Sequence, residues 1–594
     1  MIRSLLIFAG LFYAISCQRI DVDAPVPQVA GMHLPDVPEY VAQLMKIAFA
    51  EIFCAGEILD AIQKAHLFND SKYFVDMSLK KDPITTVMAF RELGDKVKER
   101  GELARFLTTY FDPPETELIS CFPLDWVTVP TKFFKVKNHD YRKWVIGLHY
   151  QWVDLCRQVR PEVRDHPHLY TSVYVPHAFI IPGGRFREFF YWDSFWILKG
   201  LLFSELYSTA RGIMLNMAFL IDNNGFVPNG GRVYLLSRSQ PPLLTAMVYD
   251  YYLATDDEQF VRDMLPYLER EFEFWNRERS YTFQEGGNEC NVFRYGTEFT
   301  GPRPESYRED WELVQNVMSE QDRLDMWANI AAAAESGWDF STRWFSPIGP
   351  SSYEIRSIRT REVIPVDLNA FMCMNTRILS ALFELAGEEK KAAEFEKKYN
   401  KLVETMSKYH WNAEDGVWYD VDAHTRNQLE SFYISNIVPL YAKCYNTSDK
   451  TIPRRVYEYM KRQDVFSLSG GMPTSFVKST QQWDGANAWP PMVHMVIEGF
   501  RTSGDPDLAD VAKTLATQWL KSVYKLYANS TLMYEKYNIS MQDVSAGSGG
   551  EYTVQTGFGW SNGVIMDFLD KFGGSLEPID EKPDLWQRAA SMFR

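Results

Sequence analysis

Apolar positions recur at three- and four-residue spacing over most of the chain, the pattern of helices that bury one face. Residues 40–62 show it. So do residues 256–277, where Phe260, Met264, Leu268, Phe272 and Trp275 share one stripe and Pro266 marks a point where the run kinks or divides. Residues 370–386 and 389–409 read as an antiparallel helix pair turned at Gly387, and residues 508–526 as another amphipathic helix. Strand-like alternation is scarce, so the chain reads as all-α.

The segments between helices are long and rich in Gly, Pro, Trp, Arg and carboxylates: 182–193, 223–242, 301–309, 481–491 and 545–562. Loops of that length without secondary structure are uncommon unless they carry function. Closed rings of helical hairpins gather such loops at one end, which predicts a catalytic funnel over a helical barrel. No linker or low-complexity segment divides the chain. The expected organisation is a signal peptide over 1–17 and one catalytic domain over 18–594 with an N-terminal helical extension.

A formal net charge of −16 repels phosphates and anionic lipid headgroups, which argues against nucleic acid as a partner. Aromatics reach 15% of residues, mostly core, although sugar clefts also use rings to cover the C–H face of a pyranose. Arg3 followed by the apolar run 5–15 and small Ser16 and Cys17 reads as a secretory signal, with a retained anchor as the alternative. Six cysteines remain beyond it: Cys54, Cys121, Cys156, Cys290, Cys373 and Cys444. Their pairing is open, from one or two bonds with free thiols upward. None stands at zinc-ligand spacing to a histidine. Asn69, Asn446, Asn529 and Asn538 begin glycosylation sequons. Together these features place the protein outside the cell.

Six loop segments carry the candidate chemistry. Residues 182–193 hold Arg185, whose planar fork donates several hydrogen bonds, and Trp192 beside Asp193, a stacking face next to an acceptor. Asn229 with Arg238, Ser239 and Gln240, and Arg303 with Pro304 and Glu305, set amide, guanidinium and carboxylate groups on short loops. Such groups suit vicinal sugar hydroxyls. Glu335-Ser336-Gly337-Trp338-Asp339-Phe340 follows an Ala-rich helix end. It leaves Asp339 between two rings, where desolvation raises a carboxyl pKa toward that of a general acid. Gln482-Trp483-Asp484 through Trp489-Pro490-Pro491 forms a stiff loop able to wall a pocket, and the Gly-rich run 547–550 can bring Glu535 and Glu551 to one site. Taken singly, each segment also fits a capped turn or a solvated ion pair.

Read together, the segments resemble the trehalase family, glycoside hydrolase family 37. Pro182-Gly183-Gly184-Arg185-Phe186 with Tyr191-Trp192-Asp193 is similar to its first signature, and Gln482-Trp483-Asp484 with Trp489-Pro490-Pro491 to its second. Residues 303–307, 335–339, 365–370 and 549–552 match further blocks in the same order, so the resemblance runs from about 50 to 570. It implies an (α/α)6 barrel, a toroid with its active-site loops at one end, and hydrolysis of α,α-trehalose to two glucose molecules with inversion. It places Asp339 as general acid and Glu535 as general base. It puts Arg185, Trp192, Asp193, Asn229, Arg238, Ser239, Gln240, Arg303, Pro304, Glu305, Gly337 and Glu551 around the sugar. Water is the only co-substrate, no metal or organic cofactor is implied, and a monomer or weak oligomer is expected.

The sequence departs from the family pattern in three places. Gly485-Ala486 stands where Pro is usual at the second position, Phe190 where a hydroxylated aromatic is common, and one extra residue lies between Glu535 and Glu551. A non-catalytic sugar-binding relative would lose Asp339 or Glu535, and a phosphorylase would replace the base; both carboxylates are present. A helical-repeat scaffold would show a sequence period, and none is found.

Overall fold

The computed structural model describes residues 39–576, apart from Ser469 and Gln542. The expected signal over 1–17 lies outside the described residues. Twelve helices among the described residues build a closed double ring: α1 (His139–Leu155), α2 (Asp193–Phe203), α3 (Tyr207–Asn224), α4 (Leu244–Thr255), α5 (Glu258–Glu278), α6 (Val366–Leu385), α7 (Glu389–Thr405), α8 (Val438–Ala442), α9 (Thr451–Arg462), α10 (Pro490–Arg501), α11 (Pro506–Ser530) and α12 (Gly559–Phe572). The even-numbered helices pack side to side in the cycle α2–α4–α6–α8–α10–α12 and back to α2, forming the inner ring; the odd-numbered helices form the outer one. This is an (α/α)6 barrel.

Sequence pattern separates the two rings. Ten of the eleven residues of α2 and eleven of the twelve of α10 are buried, as an inner helix covered on every side requires. Outer α9 buries only Pro453, Val456, Tyr459 and Met460 along one stripe. The ring closes tightly between α2 and α12, where a Cβ on Gly563 would lie 1.9 Å from the Trp196 carbonyl oxygen. Any side chain there would push the two helices apart.

Helix α5 runs unbroken through Pro266, because its buried stripe from Phe260 to Trp275 outweighs one missing backbone bond. The run read as one helix over 40–62 is two, Glu39–Phe53 and Glu57–Lys64, separated at Gly56. Strands are few and short. The longest pair is the hairpin Ser280–Glu285 with Asn288–Phe293, turned at Gly286-Gly287. Among the described residues two disulfides form, Cys121–Cys156 and Cys373–Cys444, while Cys54 and Cys290 are free.

Residues 39–112 form a helical extension with its own apolar cluster, built on Phe49, Phe53, Phe74, Phe106 and Phe111. Val233, Tyr234, Leu235 and Tyr307, from barrel loops, complete that cluster. The extension is thereby docked onto the loops where the candidate site lies. No helix among the described residues is long and apolar enough to cross a membrane.

Candidate active site

At three of the inner helices, α2, α10 and α12, residues just before or at the first turn face a shared cavity. Trp192 and Asp193 at α2, Trp489 before α10, and Phe558 and Trp560 at α12 all line it. Aromatic rings, guanidinium groups and carboxylates line it together, the mixture of apolar walls and a few placed polar groups that small-molecule sites use.

Five carboxylates face it, in different surroundings. Asp339 follows the helix Glu320–Glu335, and its loop is pinned by the segment around Trp483. The Gln482 side-chain amide donates to the Asp339 carbonyl oxygen, and Trp483 N donates to Phe340 O at 3.1 Å. Trp338 stacks on Trp483 at 4.7 Å, and Trp483 stacks on Trp489 at 3.8 Å, a wall of three indoles. Enclosure raises the Asp339 pKa to about 7; neighbouring Glu551 and Glu535 add to the rise and Arg303 opposes it. Asp193 is pushed well above the ordinary range by burial, with Glu535 and Asp339 acting in the same direction.

Glu535 is raised by burial too, but Lys536, the Tyr552 hydroxyl and the Gln555 amide all favour its charged form. Tyr552 Oη donates to Glu535 Oε1 at 2.8 Å, and Lys536 Nζ lies 3.9 Å from Oε2. Glu305 is the opposite case. Burial alone would raise it, but Arg238, at 2.5 Å, and Arg303 outweigh that and hold it below its usual value. Glu551 accepts from Arg303 Nη2 at 2.8 Å and from Ser306 Oγ at 3.0 Å, while Arg303 is itself held by Asp310 at 2.9 and 2.7 Å. One cavity therefore combines a carboxyl whose pKa reaches neutral pH, Asp339, with a second, Glu535, whose rise by burial is opposed by Lys536, the Tyr552 phenol and the Gln555 amide. That is the requirement of paired acid and base work.

Of the sequence-derived residues, Asp339, Glu535, Arg185, Trp192, Asp193, Asn229, Arg238, Gln240, Arg303, Glu305, Gly337 and Glu551 line the cavity. Ser239 and Pro304 stand behind the lining. The Ser239 hydroxyl donates to Val227 O at 2.6 Å and its amide to Glu335 Oε1 at 2.9 Å, while Pro304 opens the turn that presents Glu305 and Ser306. At the departures, Phe190 lines the cavity and Gly485 adopts a φ of +60°.

Two residues of the N-terminal extension join the site, one on the cavity lining and one behind it. Lys72 reaches in from the extension, donating to Asp76 at 2.7 Å and Glu188 at 2.9 Å within a buried charge cluster that includes Arg232. Asp70, also from the extension, accepts from Arg185 Nε at 2.8 Å and Nη2 at 2.7 Å. No local pattern marks either residue. Tyr552 closes the block at 549–552, and its place next to Glu551 is the one signal the sequence carries for it. Among the described residues, no group of three or more His, Cys, Asp or Glu side chains is placed to hold a metal ion.

Comparison with known proteins bears on this geometry. A family model described as Trehalase matches residues 66–573. The trehalase of Apis mellifera is 38% identical over 535 residues, covering 89% of this chain and 85% of that protein. The trehalase of Homo sapiens is 38% identical over 530 residues, covering 89% and 90%. Among solved structures, the neutral trehalase of Saccharomyces cerevisiae shares the fold with a TM-score of 0.55 and 21% identity, covering 66% of this chain and 73% of that one.

Proposed function

The chain belongs to the trehalase family and is a glycoside hydrolase, and from that premise we propose that it hydrolyses α,α-trehalose to two glucose molecules with inversion of configuration. The observation that carries the mechanism is the single cavity shared by Asp339, enclosed by rings, and Glu535, held by a phenol and near a lysine. Asp339 acts as general acid and protonates the bridging oxygen as the glycosidic bond breaks. Glu535 acts as general base on a water at the opposite ring face. Inverting enzymes keep the two carboxyls about 6.5–9.5 Å apart for that water. The remaining lining groups bind. Trp192 covers a sugar face, Arg185, Arg238 and Arg303 donate to hydroxyls, and Asn229, Gln240, Glu305, Glu551 and Asp193 complete the polar contacts. Ser239 and Pro304 act from behind. The reaction consumes only water and calls for no cofactor.

The protein acts, on this reading, as a monomer or weak oligomer with one catalytic domain and its extension. Two disulfides support folding in an oxidising compartment and so secretion. Exposed Asn69, Asn446 and Asn529 support glycosylation there.

Trehalose hydrolysis followed by proton NMR tests the mechanism. Equal early amounts of α- and β-glucose, before mutarotation, are expected. Release of α-glucose alone would mean retention and would remove Glu535 from its role. No glucose from folded protein would favour a sugar-binding function.

A further inference from the structure

We propose that Tyr552 is a positioning residue for Glu535, and that its own position is set from the N-terminal extension through Asp70 and Arg185. This rests on the reading of Glu535 as the base. The Tyr552 hydroxyl donates to Oε1 at 2.8 Å, which leaves Oε2, with only the longer Gln555 N contact at 3.5 Å and Lys536 Nζ at 3.9 Å, free to take a proton from water. A base with both oxygens equally engaged would lose that directed lone pair.

The phenol ring is held on two sides. The Arg185 guanidinium lies 4.5 Å from the ring centroid, and the Phe186 ring meets it edge-on at 5.5 Å. Arg185 in turn spends Nε and Nη2 on Asp70, in a bidentate geometry that fixes its plane. Asp70 caps the helix Ser71–Val75, accepting from Lys72 N at 2.9 Å. A helix cap in the extension thus orients a guanidinium, the guanidinium packs a phenol, and the phenol aims a carboxylate. The extension that docks by its own apolar cluster thereby contributes to the chemistry of the barrel.

The charged and titratable groups facing Glu535 are Lys536, Tyr552, Arg185, Asp193 and Asp339. Of these, Tyr552 alone donates a direct side-chain hydrogen bond to it among the described residues. Removing that bond disfavours the anion, so the pH at which the base ionises rises.

The test compares Tyr552→Phe and Asp70→Asn with the wild-type protein and with Glu535→Gln, on trehalose and on α-glucosyl fluoride, whose leaving group needs no proton from Asp339. For Tyr552→Phe, kcat on both substrates is expected to fall by the same factor, about tenfold to a hundredfold, as loss of a hydrogen bond to a charged group implies. KM should change little, and the acid limb of the kcat/KM profile should move up by about one pH unit. Asp70→Asn should move the same limb in the same direction by less. An unmoved acid limb in Tyr552→Phe, or a loss confined to trehalose, would overturn the positioning role. Near-normal turnover by Glu535→Gln would instead remove the reading of the base itself.

Discussion

Gly337 lies directly against the indole of Trp192, with φ at +74° and room for no side chain: a Cβ there would come within 2.6 Å of Trp192 Cζ2. The contact joins the loop carrying Asp339 to the first turn of α2, which carries Asp193. Gly337→Ala should therefore disturb two parts of the site at once. The positive φ and the close contact together are expected to cost about 1–3 kcal/mol. A lower thermal midpoint with a raised KM for trehalose is the expected result, read by calorimetry and steady-state kinetics. Wild-type KM would mean that the ring and the loop can separate without harm to binding.

Asp339 couples catalysis to stability. Asp339→Asn removes the transferable proton, so kcat should fall by about 10²–10⁴-fold. The same change should stabilise the fold near neutral pH. Because its folded pKa of about 7 lies above its ordinary value of 3.8, the native state binds the extra proton. That contribution is fully present below about 4, is lost as pH rises toward about 7, and is then gone. The melting point of Asp339→Asn should therefore exceed that of the wild type at pH 7–8, and the two should converge near pH 4. Thermal scans across that range check it; a constant difference would contradict the raised pKa.

The disulfides pin ends that helix packing leaves loose. Cys121–Cys156 closes a separation of 35 residues and joins the strand Leu118–Ser120 to the segment after α1, while Cys373–Cys444 spans 71 residues and ties α6 to the turn after α8. Chain entropy assigns each bridge up to about 4 kcal/mol. Reduction in denaturant followed by thiol blocking should lower the urea midpoint of the refolded protein. Cys290→Ser, at a free and half-buried thiol, should not reproduce that loss.

The barrel was legible because its helices repeat an apolar stripe, and the site because its residues cluster in loops too long and too polar for turns. Asp339 could be read as enclosed from Trp338 and Phe340 alone, although the indole that stacks on Trp338 comes from Trp483, 145 positions away. What escaped depends on such long-range placement without a local mark. Asp70 and Lys72 sit in a stretch marked only by the Asn69 sequon, and the docking of the extension beside Leu235 and Tyr307 brings Lys72 to the cavity and Asp70 to Arg185 on its wall. Ser239 shares a motif with lining neighbours, yet its backbone position turns its hydroxyl back onto Val227. The hairpin at 280–293 had its signal in Gly286-Gly287, a two-residue turn between strand-forming residues, which the prevailing helical pattern obscured.

The C-terminal ends of the inner helices carry a second charged group, remote from the cavity lining. Lys571 on α12 lies 2.5 Å from Asp567 and 2.8 Å from Glu498 on α10, and His494 contacts Asp567 at 2.9 Å. Cations in last turns also suit the negative ends of the helix dipoles. Burial would raise Glu498, but Lys571 and Arg501 outweigh it and hold its pKa at about 2; Lys571 and Lys199 likewise keep Asp567 well below its ordinary value. Lys571→Met would leave two enclosed carboxylates short of a cation, at a cost of about 3–5 kcal/mol. The sign follows from depressed carboxyl pKa values. Their contribution is present above about 4.5 and is lost as pH falls toward about 2, so the deficit of Lys571→Met should be largest near pH 7 and shrink below pH 4. Urea unfolding at several pH values reads this directly. At 25 °C the variant should keep its KM for trehalose within about twofold, because Lys571 itself pairs with Asp567 and Glu498, neither of which lines the cavity, and the link to Trp192 runs through His494 and Trp196. A large rise in KM would mean that the two ends of the barrel are energetically coupled.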